Sequence, residues 1–185
     1  MNNYFQCANH EGEAVVWGEW IYKKGDPILF NDSKRFPVLY NNLKGWIVEI
    51  EKNKTDIRFT IDIDMKLTEK ECKENEIEFV KDTGKYTRIC LQIFKYNYNV
   101  PENEIDEMRM KAVVPFQLAY AVSIHKAQGL EYDSVKIVIP DSISERVTHG
   151  VFYTAITRAK KKLKIYWSAE TMTSVIEKFS KEELG

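Results

Sequence analysis

The chain divides into two textures. Over residues 17–98 apolar residues come in short runs broken by turn chemistry. Ile57, Phe59, Ile61 and Ile63 alternate with Arg58, Thr60 and Asp62, the period of a strand buried on one face. Lys24-Gly25-Asp26-Pro27 is a turn signal before the apolar Ile28-Leu29-Phe30, and Asn31-Asp32-Ser33 ends that run. A second turn, Asn41-Asn42-Leu43-Lys44-Gly45, precedes Trp46-Ile47-Val48-Glu49-Ile50. Residues 88–96 read as another strand. Many short strands with frequent turns predict a small antiparallel barrel or sheet. The mixed charges of 66–75 predict a solvated loop or short helix.

From Pro115 the spacing changes to α/β. Residues 117–122 read as a strand, and 123–128 as a compact polar turn of helix ended by Gly129. Val135-Lys136-Ile137-Val138-Ile139 is a buried strand stopped by Pro140. Residues 146–159 have helical spacing, with Val147, Val151, Thr154 and Ile156 facing inward. A strand over 163–167 and a helix over 170–178 follow, the latter with Met172, Val175, Ile176 and Phe179 as apolar positions. This order predicts a parallel sheet flanked by helices. The expected organisation is a lead-in over 1–16, a β-rich module over 17–112 and an α/β part over 113–185.

Composition adds limits. Of 185 residues, 44% are hydrophobic and 30% charged, a globular balance that argues against disorder. The formal net charge of -1 means that any nucleic-acid contact must come from a local patch. Cys7, Cys72 and Cys90 are odd in number and far apart, with no C-x-x-C spacing. That pattern predicts free thiols and neither a disulfide framework nor a metal site. No apolar run approaches a membrane span, and no basic region followed by an apolar core opens the chain. A cytoplasmic protein is expected.

Two segments carry chemistry. Between Ala119 and Glu131 an apolar strand ends in a burst of polar groups: Ser123, His125, Lys126, Gln128 and Glu131, with Gly129 allowing close backbone approach. Ligands of open parallel sheets sit just beyond strand ends. Ser123 and His125 can donate to phosphate oxygens, Lys126 adds charge, and Glu131 can accept from a ribose hydroxyl. A polar strand-to-helix connection with capping residues accounts for the same segment equally well. In the second segment, Val151 to Leu163, an apolar helix runs into Arg158 and then Lys160, Lys161 and Lys162. The three lysines fit cations that complement a helix C-terminus. Arg158, among small residues, is placed to present a rigid fork to a phosphate.

Ser-Ile-His-Lys-Ala-Gln-Gly-Leu-Glu at 123–131 resembles motif V of superfamily 1 helicases of the RecD/TraA-like branch, which moves 5′ to 3′. Tyr-Thr-Ala-Ile-Thr-Arg-Ala at 153–159 resembles motif VI. Their order and the strand between them match as well. Upstream, Gly25-Asp26-Pro27-Ile28-Leu29 with Leu43-Lys44-Gly45-Trp46-Ile47-Val48 is similar to the SH3-like barrel inserted into the second RecA-like domain of that branch. The resemblance implies an α/β fold: part of a RecA-like parallel sheet with flanking helices, carrying an SH3-like antiparallel insertion. It implies Arg158 as an arginine finger on the γ-phosphate. It places Gln128, Gly129 and Glu131 at the nucleotide, and Ser123, His125 and Lys126 at the backbone of single-stranded DNA. ATP and Mg2+ are the implied ligands of a parent enzyme, whose first RecA-like domain is the implied partner.

The chain departs from that family at one decisive point. No G-x-x-x-x-G-K-S/T occurs in it, so the main phosphate cradle and its Mg2+-binding hydroxyl are missing. No acidic motif II precedes the β-rich region, and motif IV is not evident before Trp17. The resemblance therefore implies a piece of a helicase cut inside the second motor domain and inactive alone. Two other readings compete. One is a non-catalytic module binding protein or nucleic acid, favoured if Tyr40, Trp46 or Phe59 were exposed on one barrel face; core packing is the ordinary use of such aromatics. The other is a degenerate regulatory helicase domain, against which Arg158 and Gln128 argue.

Overall fold

A computed structural model describes residues 1–97 and 100–182. Tyr98, where the β-rich texture ends, lies outside the described residues. Two compact units are present, Met1–Ala121 and Val122–Gly185.

The first unit opens with helix α1 (Asn2–Gln6) and a hairpin of β1 (Val15–Trp17) and β2 (Trp20–Tyr22). Six further strands form one antiparallel sheet: β3 (Pro27–Phe30), β4 (Lys44–Lys52), β5 (Asp56–Ile63), β6 (Glu78–Asp82), β7 (Thr87–Phe94) and β8 (Phe116–Leu118). Their order is β6-β7-β5-β4-β3-β8. Helix α2 (Glu69–Glu74) precedes β6, and α3 (Ile105–Ala112) follows β7. The mixed-charge segment is thus a short helix. It starts where Thr68 and Glu71 cap each other, each side chain bonding the other's backbone N–H.

The predicted alternation organises the core. Ile57, Phe59, Ile61 and Ile63 are fully buried, while Arg58, Thr60 and Asp62 between them keep partial exposure. Across the pair, Phe59 faces Leu91 and Ile61 faces Ile89, and both partners are buried. On the opposite face Arg88 forks onto Asp62, Nε to Oδ1 at 2.7 Å and Nη2 to Oδ2 at 2.8 Å. Phe59 also meets Tyr22 at 5.0 Å and Phe116 at 5.1 Å between ring centroids, edge to face.

Two expectations are corrected here. The closed barrel is not found among the described residues: the sheet is open, with β6 and β8 at its ends. The strand expected over 117–122 is the shorter β8, and it pairs antiparallel with β3 rather than joining a parallel sheet. Burial decides this, because Phe116 and Leu118 project into the aromatic core around Phe30 and Tyr22. Of the three aromatics considered for a stacking face, Phe59 is core and Trp46 rests against Tyr86 at 5.0 Å, leaving only Tyr40 largely exposed.

A buried carboxyl group ties this unit's ends together. Asp26 is wholly inaccessible and accepts from Gln6 Nε2, from Asn9 Nδ2 at 2.8 Å, from the Lys23 N–H at 2.8 Å and from Tyr120 Oη at 2.7 Å. Burial, reinforced by the bond to Asp26, holds the Tyr120 phenol well above its ordinary pKa. Asn2 completes the tie, donating to the Leu118 carbonyl at 3.1 Å and accepting from the Ala121 N–H at 2.7 Å.

The second unit contains α4 (Ile124–Ala127), β9 (Tyr132–Val138), α5 (His149–Ile156), β10 (Ala159–Tyr166) and α6 (Ala169–Glu182), with a 3-10 turn over Asp141–Arg146. β9 and β10 are parallel, with Val135 beside Leu163 and Ile137 beside Ile165. α5 is the crossover between them, as a parallel pair requires. Thr148 caps α5 by accepting from the Val151 N–H. The core is small: Ile139, Val147 and Val175, with Phe152, Trp167 and Phe179 packed on it. Phe152 and Trp167 stack with ring centroids 5.8 Å apart. The three cysteines are free thiols, and among the described residues no helix is long and apolar enough to cross a membrane.

Asp26→Ala is expected to strand four donors and lower the unfolding free energy by roughly 1–3 kcal/mol. Urea denaturation checks this; an unshifted midpoint would mean that the donors find equivalent partners.

Candidate nucleotide and nucleic-acid site

All the singled-out polar residues fall in the second unit, on α4 and its N-cap, on the turn after it and in the turn between α5 and β10. Ser123 is the N-cap residue of α4, and its carbonyl accepts from the Lys126 and Ala127 N–H groups at 3.0 Å. Its hydroxyl makes no capping bond. The helix is one turn long because Gln128 leaves the helical region and Gly129 follows at φ +81. That left-handed value suits glycine, and a Cβ there would meet nothing within 4 Å. Backbone conformation, not crowding, accounts for the glycine. Ser123, His125, Gln128, Gly129 and Glu131 are exposed, and Lys126 is half-buried. Ala127 is the buried residue of the turn.

Arg158 is held from three sides. Its Nε donates to the Thr154 carbonyl at 2.9 Å, its Nη1 to the Leu130 carbonyl at 3.2 Å and its Nη2 to Thr157 Oγ1 at 3.1 Å. Its own carbonyl accepts from the Tyr132 N–H at 2.9 Å. One residue thereby joins the 123–131 segment to the 153–159 segment through both backbone and side chain. Thr157 is oriented in turn, its hydroxyl donating to the Tyr153 and Thr154 carbonyls. A guanidinium gripped in this way is pre-oriented, the condition under which a cation stabilises charge that develops beside it.

The lysine cluster differs from expectation. α5 ends at Ile156, and Lys160, Lys161 and Lys162 lie on β10, not on a final helical turn. Lys160 pairs with Glu131 at 2.9 Å and Lys161 with Asp133 at 2.9 Å. The parallel register, with Ala159 opposite Tyr132, places the cations of one strand beside the anions flanking the other. The hydrogen bond from Lys160 holds the Glu131 carboxyl below the usual carboxylate range, helped by the Lys160 charge and, least, by Arg158. The same bond raises the Lys160 ammonium. Both groups are exposed, so the pair orients more than it stabilises.

Arg158, Glu131 and Lys160 therefore share one seam with the Leu130 carbonyl, while Ser123 and His125 sit one helical turn upstream on α4, which packs against α5. Sequence reasoning missed Lys160 as the partner of Glu131, and Thr154 and Thr157 as the holders of Arg158. The charge pattern Glu131, Asp133 against Lys160, Lys161 was the available signal, but it speaks only once the strand register is known. Among the described residues no group of three His, Cys, Asp or Glu side chains is placed to hold a metal.

Residues 118–166 match the family model of the UvrD-like helicase C-terminal domain. The chain is 39% identical over 71 residues to an uncharacterized protein of Methanocaldococcus jannaschii, a match covering 38% of this chain and 6% of that protein. It is 37% identical over 57 residues to RecBCD enzyme subunit RecD of Mycobacterium tuberculosis, covering 31% of this chain and 10% of the subunit. Bacteroides Pif1 bound to ssDNA is a similar solved structure, with a TM-score of 0.46 at 15% identity over 98% of this chain and 43% of that one. The matched segments thus span only a small part of the length of these curated relatives.

Lys160→Ala is expected to return the Glu131 carboxyl toward the ordinary glutamate range, read by NMR titration of its carboxyl carbon. Because the folded value is the depressed one, any stabilisation from this pair is present above the unfolded pKa. It is lost as pH falls through the folded value. An unmoved Glu131 titration would remove Lys160 as the cause.

Proposed function

We propose that the chain, whose residues 118–166 match the UvrD-like helicase C-terminal domain, supplies one side of the ATP site and part of the strand track of an ATP-dependent DNA helicase. Arg158 acts as the arginine finger on the γ-phosphate. Gln128, Gly129 and Glu131 approach the nucleotide, and Ser123, His125 and Lys126 contact the sugar-phosphate backbone of single-stranded DNA. Such contacts read no sequence, as a motor stepping along any strand requires. A first RecA-like domain of the parent chain supplies the phosphate-binding loop and the Mg2+ ligands. In this reading the antiparallel sheet of the first unit corresponds to the SH3-like insertion.

One observation carries the reading. Arg158 grips the Leu130 carbonyl and the Tyr132 N–H, so the finger and the strand-contacting turn share one hydrogen-bonded seam. A pull on Arg158 from a phosphate is passed along that seam toward α4, and this couples nucleotide state to the strand. The exposed Val138, Leu163 and Tyr166 on the two-stranded parallel sheet further support a larger sheet in the parent, since parallel sheets are ordinarily covered on both faces.

In the parent enzyme Arg158→Ala is expected to lower DNA-stimulated ATPase by roughly 10³–10⁵-fold while strand binding persists. Arg158→Lys is expected to fail as well, because an ammonium cannot replace the planar fork that holds Thr154, Leu130 and Thr157. Circular dichroism of both variants separates loss of the finger from loss of the seam. Wild-type turnover in either folded variant would end the assignment. The 185-residue chain by itself is expected to hydrolyse no ATP; turnover that disappears with Arg158→Ala would contradict the division of labour. Ser123→Ala with His125→Ala is expected to weaken strand binding, and an unchanged affinity would take both residues off the track.

A further inference from the structure

Glu131 stands between two held stretches of backbone. The turn that carries it closes when the Leu130 N–H donates to the Ala127 carbonyl at 3.0 Å, across Gly129 at φ +81. On one side of Glu131 the Leu130 carbonyl accepts from Arg158 Nη1 at 3.2 Å, and on the other the Tyr132 N–H donates to the Arg158 carbonyl at 2.9 Å. The Glu131 side chain has no such enclosure and is 57% exposed. An exposed glutamate samples many rotamers, and a ligand that uses one must first order it.

Lys160 does that ordering in advance. It lies on β10 next to Ala159, which sits opposite Tyr132 in the parallel register, and its Nζ is 2.9 Å from Glu131 Oε2. A carboxylate has two oxygens and about four lone-pair sites, so one ammonium leaves the group open to a second donor. An ion pair this exposed adds little to stability; what it fixes is the direction of the carboxylate. The Arg158 charge also acts on this carboxylate, so a group suited to phosphate and a group suited to a hydroxyl stand in one seam. Ribo- and deoxyribonucleoside triphosphates share their phosphates, and Arg158 does not tell them apart. A carboxylate oxygen that accepts from a sugar hydroxyl does, because the deoxy compound leaves it without its donor.

Taking Glu131 at the nucleotide, the reading given under Proposed function, we infer that Lys160 is its positioning residue: the lysine holds the carboxylate to accept from a ribose hydroxyl, and the pair selects ribonucleoside over deoxyribonucleoside triphosphates. The neighbouring pair of Lys161 with Asp133, also at 2.9 Å, holds no residue assigned to the nucleotide and serves as the control.

The test measures kcat and KM of the DNA-stimulated ATPase of the parent enzyme with ATP, 2′-deoxy-ATP and 3′-deoxy-ATP. The wild type is expected to favour ATP over one of the analogues by about 10-fold in kcat/KM, the scale of one hydrogen bond to a charged group. The disfavoured analogue identifies the hydroxyl. Lys160→Ala is expected to raise KM for ATP about 3- to 10-fold, the scale of ordering one glutamate side chain, with kcat and the KM of that analogue unmoved, so that the preference shrinks. Lys160→Arg, which keeps a donor for the carboxylate, is expected to restore it, and Lys161→Ala to leave it at the wild-type level. Circular dichroism verifies that each variant is folded. No preference in the wild type, or a preference that survives Glu131→Gln, takes Glu131 off the sugar and overturns the inference together with that part of the reading. A preference lost in Glu131→Gln but kept in Lys160→Ala overturns the inference alone. An equal KM rise for ATP and both analogues in Lys160→Ala overturns it too, because the lysine then acts on the phosphates. So does an equal loss of preference in Lys161→Ala, which would make strand charge rather than contact with Glu131 the cause.

Discussion

Asp26 is the point on which the first unit turns. A carboxyl group removed entirely from water must find its hydrogen bonds inside the protein, and Asp26 finds them on α1, on Asn9, on the turn before β3 and on Tyr120. These partners are far apart in sequence, so satisfying one side chain closes several long loops at once. Asn2 adds two bonds to the strand and turn that end the unit. The exit of the chain at Ala121, immediately before the segment 122–131, is thereby fixed within the first unit. Among the described residues no buried side-chain nitrogen or oxygen lacks a partner, so this polar core is satisfied in full, the condition under which such networks specify a structure rather than weaken it.

The second unit uses a different device. Its apolar core is small, and the arrangement of its polar surface rests on the seam between β9 and β10. Parallel pairing sets Glu131 and Asp133 beside Lys160 and Lys161, and Arg158 clamps the same seam at its start. The residues divide by how far they are held as much as by charge. Arg158 is held by three acceptors, while Ser123, His125 and Gln128 are exposed on and just after one turn of helix. A donor held in this way suits a group meeting developing charge, the role proposed for Arg158.

Net charge is a poor guide to such a molecule. A value near neutrality conceals a paired row of charges on the second unit, Glu131 and Asp133 against Lys160 and Lys161. Electrostatic interactions are screened over about 8–10 Å at ordinary salt, so a ligand experiences the local patch and not the total.

How much was legible from the chain alone follows from the range of each signal. The alternation of Ile57, Phe59, Ile61 and Ile63, the turn at Gly25-Asp26, the strand at Val135 to Val138 and the helix containing Phe152 are local patterns, and each became an element. The 123–131 and 153–159 segments were recognisable because their residue types and order are themselves the signal. What depended on long-range pairing was not legible. Periodicity says that Phe116 and Leu118 face one way, but only the aromatic core around Phe30 and Tyr22 placed them antiparallel to β3. Lysines 160–162 suit a helix end by composition; the register of β10 against β9 put them on a strand beside Glu131 and Asp133. The sheet stayed open, and Asp26 gathered partners from nearly a hundred residues away. Each of these outcomes joins residues that no short window of sequence contains, and so tertiary structure decided them.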